Sequence, residues 1–317
     1  MSDVAAINIS FSDIPWRAHP EVWMLLVGLG AIAYYVVKVL QPKAVAAGYE
    51  PISKNSRKWF LFAVPAMWLA SDWPVHDVAE EYLYSVHMAQ HMVISMIVPA
   101  MLLLAMPKWL FELMLPEGGA GHRWLARLSR PLVAGLLFNA LTMILHWTTV
   151  VQWSFESGAL HFLFHLMIFA AGMLMWMPVI GPEGKWRLQP LSQCIYLFMM
   201  SIVPTVPGSW LVFAEDVVYR HYDTPGRLWG IDVLTDQQGA GLIMKLAGGF
   251  LLWGIILVIF VRWASAEAQR DSAVRREQGR VAIAAANARA EGTLTYQEVS
   301  ETFARSAAPV EKPSSEG

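Results

Sequence analysis

The sequence predicts an all-α protein, a seven-transmembrane helix bundle with its N-terminus outside and its C-terminus cytoplasmic. Of its 317 residues, 56% are hydrophobic and only 15% are charged, a balance that few soluble domains could bury or solvate. Apolar runs follow one another along the chain, each near the ~20 residues that ~30 Å of hydrocarbon requires. Short polar joints separate these runs, which indicates one membrane bundle rather than several domains.

Seven apolar runs qualify as spans. The first follows acidic residues and Arg17 and precedes several lysines, the reverse of the charge order of a cleavable signal peptide, so we expect it to remain in the mature protein. The second run is short and ends at Pro74. We predict the spans at residues 21–40, 58–72, 80–106, 131–151, 158–180, 190–213 and 237–262.

Three regions surround or interrupt the spans. Residues 1–20 are predicted to form an extracytoplasmic N-terminal segment before the membrane domain at 21–263. Between the third and fourth spans, residues 107–130 alternate Trp and Leu with Lys and Arg, which indicates an interfacial amphipathic segment. After the last span, Ala, Glu, Gln and Arg dominate, so residues 264–317 are predicted to form a cytoplasmic charged helical extension and a disordered tail.

The distribution of Lys and Arg among the joints sets the predicted orientation. Joints on the cytoplasmic side of a membrane are enriched in these residues. The joints after spans two and four contain neither Lys nor Arg, and the joint at 214–236 is mixed. The joints after spans one, three and five contain Lys43, Lys54, Arg57, Lys58, Lys108, Arg123, Arg127, Arg130, Lys185 and Arg187.

Several functional classes lack support in the composition. A net charge of -2 provides no basic surface for nucleic acid. The single cysteine, Cys194, allows no intramolecular disulfide and no Cys-x-x-Cys site. The string from His87 to His91 lacks the glutamate of a zinc-protease His-Glu-x-x-His motif. We therefore predict no catalytic residues and no enzymatic activity.

The histidines form the most informative pattern. Residues four apart share one helix face, so His87 with His91 and His161 with His165 each present two imidazoles together. On the predicted topology both pairs lie in the outer leaflet, as does His146, and polar faces avoid lipid. Because imidazole suits copper, these five residues are the predicted metal ligands. The simpler alternative is interhelical hydrogen bonding, which we favour for His146 taken alone.

A second set of polar residues is predicted to support this site. Asp72 and Asp77 could accept hydrogen bonds that orient ligand rings. Lys245 lies within the last span, where we expect it to snorkel outward or to pair with Asp72 or Asp236. A lysine in a seventh helix also fits a retinal protein, but the outer histidines would have no function there. The full supporting set is Asp72, His76, Asp77, Asp236, Gln237 and Lys245.

Three blocks of sequence resemble a known family. Tyr82–Met92 (YLYSVHMAQHM), followed by PAMLLLAMP at 99–107, is similar to the third span of the membrane-embedded cytochrome c oxidase assembly factor CtaG, of the caa3-oxidase type. His161–His165 and Asp236–Met244 (DQQGAGLIM) resemble later spans of that family. The likeness covers about residues 20 to 262. The chain departs at Lys245, where the family pattern leads us to expect a large apolar or aromatic residue.

The resemblance implies a function that spacing alone does not. It implies a cytochrome c oxidase assembly factor of a bacterial inner membrane that handles copper for the oxidase copper centres. Its implied partners are haem-copper oxidase subunits and the lipid bilayer. Two alternatives remain open. The chain could be a b-type haem or quinone-linked redox anchor, with one histidine from each pair as an axial ligand. It could also be a structural partner whose histidines only form hydrogen bonds.

Overall fold

The computed structural model describes residues 7–292 and 295–306. It is about 79% helical with almost no sheet, which confirms the predicted all-α class. The chain divides into two compact units, Met1–Phe260 and Val261–Gly317.

The described residues of the first unit form twelve helices besides short 3₁₀ turns. The last of them, α12, begins at Val233 and continues into the second unit as far as Gly292. The others are α1 (Pro20–Ala46), α2 (Lys54–Ser71), α3 (Val75–Glu81), α4 (Tyr84–Ala105), α5 (Lys108–Met114), α6 (Ala120–Leu128), α7 (Pro131–Leu145), α8 (Thr148–Glu156), α9 (Gly158–Ile180), α10 (Pro190–Ile202) and α11 (Thr205–Val212).

Fewer helices than predicted satisfy the length and composition of a membrane span. Within the described residues there are five: α1, α4, α9, α10 with α11, and α12, or six if the bent pair α6 and α7 forms one span. The helix α2 does not qualify as a span of this kind, because its first five residues include three basic ones, Lys54, Arg57 and Lys58. The count of seven and the orientation of the termini therefore stay predictions, whereas a helical membrane protein is supported.

Three predicted spans are interrupted in the structure, and one of them, the run 190–213, breaks at Val203–Pro204 between α10 and α11. The run 80–106 breaks at Tyr82–Leu83, which separates α3 from α4. The run 131–151 breaks at His146–Trp147, which separates α7 from α8. At the break after α7, the His146 ring nitrogen Nδ1 lies 2.6 Å from the carbonyl oxygen of Thr142. A side-chain donor thus satisfies a carbonyl that the end of a helix leaves free, and the helix can stop inside an apolar run.

The packing of α4 against α9 forms the centre of the first unit. Because Pro99 has no N–H, it cannot make the usual helical hydrogen bond to the carbonyl of Ser95, and α4 widens into a π turn at Val93–Ile97. Gly172 of α9 lies against this carbonyl, where a Cβ atom would be only 1.9 Å from the Ser95 oxygen. The buried Trp176 indole donates to the Met96 carbonyl at 2.8 Å. The two helix backbones therefore approach closely.

The N-terminal segment forms a structure that its sequence did not predict. Strand β1 (Ile7–Ile9) pairs in parallel with β2 (Gly226–Leu228), a short strand in the loop before α12. Further along, Arg17 forms an ion pair with Glu81, and His19 Nε2 lies 2.9 Å from Asp77 Oδ2. The segment is thereby attached to both α3 and the loop before α12. Residues 1–6 of the predicted 1–20 segment lie outside the described residues.

We expect the His19–Asp77 contact to make docking of this segment depend on pH. Burial lowers the pKa of His19, but the hydrogen bonds and charges of Asp77 and, to a lesser extent, Glu21 outweigh it, so the net shift is upward. A raised pKa means that the stabilisation is complete below the unfolded value of about 6.5 and is lost as pH rises through the folded value. The wild-type unfolding midpoint should therefore be lower at about pH 8 than at about pH 6, and Asp77→Asn should reduce this difference.

The measurement is thermal unfolding in detergent at both pH values. A Glu21→Gln variant is the comparison: Glu21 Oε1, which is exposed and 3.3 Å from the other ring nitrogen of His19, raises the His19 pKa less than Asp77 does and should reduce the pH dependence less. An equal pH dependence in wild type and Asp77→Asn would contradict this assignment.

In the second unit, α12 is exposed where its side chains are described, apart from partly buried residues near Trp263. The short helix α13 (Tyr296–Arg305) follows, within the tail that was predicted to be disordered. A capping box explains this difference: Thr295 and Glu298 satisfy each other's backbone N–H groups. Residues 307–317 of the predicted tail lie outside the described residues.

Candidate metal centre

The structure brings the five predicted ligand histidines together. His87 and His91 lie one turn apart on α4, His161 and His165 lie one turn apart on α9, and His146 caps α7. Their ring centroids are 4.5 Å apart for His87 and His91, 4.4 Å for His161 and His165, 4.8 Å for His91 and His165, and 6.1 Å for His91 and His146. These five residues are called the histidine cluster below. They lie at the end of the unit where α4 begins, here called the histidine end.

The ring nitrogens have spacings that a metal ion could bridge. Nitrogens of His87, His161 and His165 all lie within 4.8 Å of one another. The Nε2 atoms of His91 and His165 are 3.1 Å apart. Two nitrogens bound tetrahedrally to one ion at ~2.0 Å are about 3.3 Å apart. The pair His91 and His165 thus already has the spacing of ligands, and the nitrogens of His87, His161 and His165 lie within 4.8 Å of one another.

The cluster encloses a small cavity of about 20 Å³, lined also by Tyr84 and Met88. This is enough for one water-sized species. His87 Nδ1 is buried and has no hydrogen-bond partner within the described residues. His146 Nδ1 is engaged by Thr142, which leaves its Nε2 available as a ligand. The cluster therefore offers nitrogen donors around a space of ionic size.

A carboxylate that the sequence analysis did not select borders the cluster. Glu80 Oε1, on α3, lies 3.3 Å from His76 Nε2 and 3.0 Å from His161 Nε2. Burial raises the pKa of Glu80, but the contact with His161 and the charge of His76 outweigh it and lower the pKa to about 2. Glu80 is therefore ionised at neutral pH. The spacing of four between His76 and Glu80 was the available signal, but the expected continuous span from residue 80 concealed the separate helix α3.

The predicted supporting aspartates near α3 bind elsewhere. Asp72 accepts the indole N–H groups of Trp23 and Trp68, at 2.9 and 2.6 Å. Asp77 binds His19, which is outside the histidine cluster. Neither aspartate orients a predicted ligand ring, because Asp72, at the end of α2, faces α1 and α2, while Asp77, on α3, faces the N-terminal segment.

Of the other predicted supporting residues, only His76 borders the histidine cluster, and Asp236 and Gln237 bind backbone groups. His76 lies at the border of the cluster, where its Nδ1 is 3.1 Å from Gln90 Nε2. Asp236 caps α4, accepting the Tyr84 N–H at 2.6 Å and contacts from Ser85. Gln237 accepts backbone N–H groups of residues 218 and 219.

The pairing expected for Lys245 is absent among the described residues, where this partly buried side chain has no hydrogen bond or ion pair. Asp72 and Asp236, its expected partners, are occupied by indole and backbone donors.

Comparison with known proteins identifies the family of this chain. Residues 32–266 match the family model described as cytochrome c oxidase caa3 assembly factor. The chain belongs to this family. The match covers most of the chain and confirms the resemblance drawn from the three sequence blocks. All five cluster histidines, and Glu80, fall within the part that matches the caa3 assembly factors.

Individual relatives are more distant. Uncharacterized proteins of Mycobacterium bovis and Mycobacterium tuberculosis are each 26% identical over 252 residues, which covers 69% of this chain and 36% of the relative. An uncharacterized protein of Mycobacterium leprae is 28% identical over 207 residues, covering 57% of this chain and 30% of the relative. The chain thus spans about a third of the length of these relatives. No solved structure matches.

Proposed function

We propose that this caa3 assembly factor binds copper at the histidine cluster and assists maturation of a copper centre of a haem-copper oxidase, without catalysing a reaction itself. The observation that carries the proposal is the convergence of nitrogens from His87, His161 and His165 to within 4.8 Å. Neutral imidazole is a good ligand for copper. Copper is here the cargo of the protein, to be passed to the oxidase.

The predicted orientation supports delivery. Positive charge in the joints predicts that the histidine end faces the extracytoplasmic side of a bacterial inner membrane. A site near that surface suits transfer to oxidase copper centres assembled from the same side. The partners of this step are the oxidase subunits and the surrounding lipid.

The cavity supports a bare ion over the haem alternative. Pockets for organic ligands usually measure ~300–1,000 Å³, far above the cavity of about 20 Å³ here. Axial ligands on opposite faces of a haem are about 4 Å apart, twice a metal–nitrogen bond. His91 and His165 Nε2, at 3.1 Å, are closer than that.

The test is the metal and haem content of protein purified under reducing conditions. We expect about one copper ion per chain and no Soret band, and loss of copper in His87→Ala and His161→Ala. His122→Ala is the matched control, because that buried histidine packs on Trp186, with ring centroids 5.0 Å apart, and is not part of the cluster.

Oxidase maturation in cells should decrease in the variants that lose copper and stay unchanged in His122→Ala. Copper-free wild-type protein, together with full oxidase maturation supported by His87→Ala, would overturn the proposal. A Soret band that disappears in the same variants would favour the haem alternative instead.

A further inference from the structure

We propose that Glu80 and His161 form an entrance site that captures a copper ion and passes it to the histidine cluster, with His76 positioning the Glu80 carboxylate. This inference rests on the proposed copper function. It adds a second cation position, with an oxygen ligand, at the border of the cluster.

Glu80 is more exposed than the cluster histidines beside it, so an ion arriving from solvent would meet Glu80 first. The Glu80 side chain is 33% exposed, whereas that of His161 is 10% exposed. Deeper in the cluster, His87 is 5% exposed. Glu80 is thus in contact with both the solvent and the first cluster histidine.

The charge of Glu80 calls for a cation. Within the described part of the chain, no lysine or arginine contacts this carboxylate, and its polar side-chain neighbours are His76 and His161. Arg17, on the same end of the unit, pairs with Glu81 and approaches Asp77 to 3.9 Å. Glu80 thus has no lysine or arginine as a counter-ion among the described residues. A metal ion held between the carboxylate and an imidazole would supply that positive charge.

The environment of His76 fixes the carboxylate in place. Gln90 Nε2 donates to the Ala70 carbonyl at 2.7 Å and lies 3.1 Å from His76 Nδ1. With Nδ1 accepting from this amide, the ring proton of His76 is on Nε2, the nitrogen that lies 3.3 Å from Glu80 Oε1. His76 is therefore a positioning residue, which holds Glu80 against His161.

His161 belongs to both the entrance site and the histidine cluster, which provides a route for transferring the copper ion. Its Nε2 lies 3.0 Å from Glu80 Oε1, and one of its two ring nitrogens lies within 4.8 Å of the nitrogens of His87 and His165. An ion bound to Glu80 and His161 can exchange ligands: the copper–oxygen bond to Glu80 breaks as copper–nitrogen bonds to His165 and His87 form. No electron is transferred in this step, and the carboxylate is left ionised. The mixed oxygen and nitrogen donors at the entrance suit Cu²⁺.

The first test compares rates of copper uptake. Apo-protein in detergent is mixed with Cu²⁺, and quenching of tryptophan fluorescence is followed by stopped flow. We expect Glu80→Gln to take up copper about tenfold more slowly than wild type while binding the same amount at equilibrium. Glu81→Gln is the matched control, because the neighbouring Glu81 pairs with Arg17 and should leave uptake unchanged. Equal rates in Glu80→Gln and wild type would overturn the entrance site.

The second test leaves Glu80 intact. His87→Ala protein titrated with Cu²⁺ should still bind copper weakly, with an electron paramagnetic resonance spectrum typical of mixed oxygen and nitrogen ligation. Absence of this signal would overturn the entrance site even if Glu80→Gln fails to fold. Failure of the proposed function is distinct from both results, because wild-type protein would then bind no copper at equilibrium.

Discussion

Replacing Gly172 with alanine is expected to separate α4 from α9 and to abolish most copper binding in the same step. The added Cβ would lie 1.9 Å from the Ser95 oxygen and 3.2 Å from Pro99 Cγ. The Ser95 oxygen is backbone and cannot rotate away as a flexible side chain can. Overpacking of this kind costs about 3 kcal/mol or more when the backbone must move. The displaced helices carry one histidine pair each, so the pairs would move apart.

Gly254→Ala is the control for this experiment. Gly254 lies in α12, and a Cβ there would have no atom within 4 Å. Alanine should therefore be neutral or slightly stabilising, since glycine inside a helix costs ~0.5–1 kcal/mol. The measurements are the thermal unfolding midpoint in detergent and the copper bound per chain. A Gly172→Ala protein as stable as Gly254→Ala would show that α4 and α9 do not approach as described.

Removing the Asp236 carboxylate is expected to have the next largest effect. The N-cap residue of α4, Leu83, offers no side-chain cap, and Asp236 of α12 supplies the acceptor instead. Its oxygens accept from the backbone N–H groups of Tyr84 and Ser85 and from the Ser85 hydroxyl. Asp236→Ala would leave these donors without a partner at a helix terminus that favours negative charge, at a cost of about 3 kcal/mol.

Asp232→Ala is the matched control for Asp236→Ala. Asp232 caps its own helix, α12, and is exposed, so its loss should cost only about 1 kcal/mol. Asp236→Asn should fall between the two, because the amide keeps one acceptor oxygen. Thermal unfolding of the three variants gives the comparison, and copper affinity reports whether His87, one turn into α4, has shifted. Equal midpoints for Asp236→Ala and Asp232→Ala would rule out the cap between helices.

Local spacing was enough to predict which histidines meet. The separation of four residues places His87 with His91, and His161 with His165, regardless of where the helices end. Composition likewise predicted helices rather than strands, because long apolar runs in a membrane must satisfy their own backbone groups. The family resemblance then added the oxidase, which neither spacing nor composition contains.

Features that depend on contacts between distant residues could not be predicted. Nothing near Leu83 in sequence shows that α4 begins there, because its cap comes from Asp236. Glu80 was not selected as a site residue, since its contact with His161 exists only once α3 folds back on the start of α9. Each of these features joins elements that are far apart in the chain.

The neutrality of the deeper rings limits how many ions the protein can hold. His87, His91, His146 and His165 are in contact with one another or with backbone, and with no carboxylate within the described residues. A copper ion bound among these rings would keep its full positive charge, because no carboxylate would neutralise part of it. Two Cu²⁺ ions roughly 6 Å apart repel by about 11 kcal/mol at an effective dielectric constant of ~20. Occupation of the deep position would therefore weaken capture at Glu80 until the first ion has been released, so that copper atoms would leave the protein singly and in sequence.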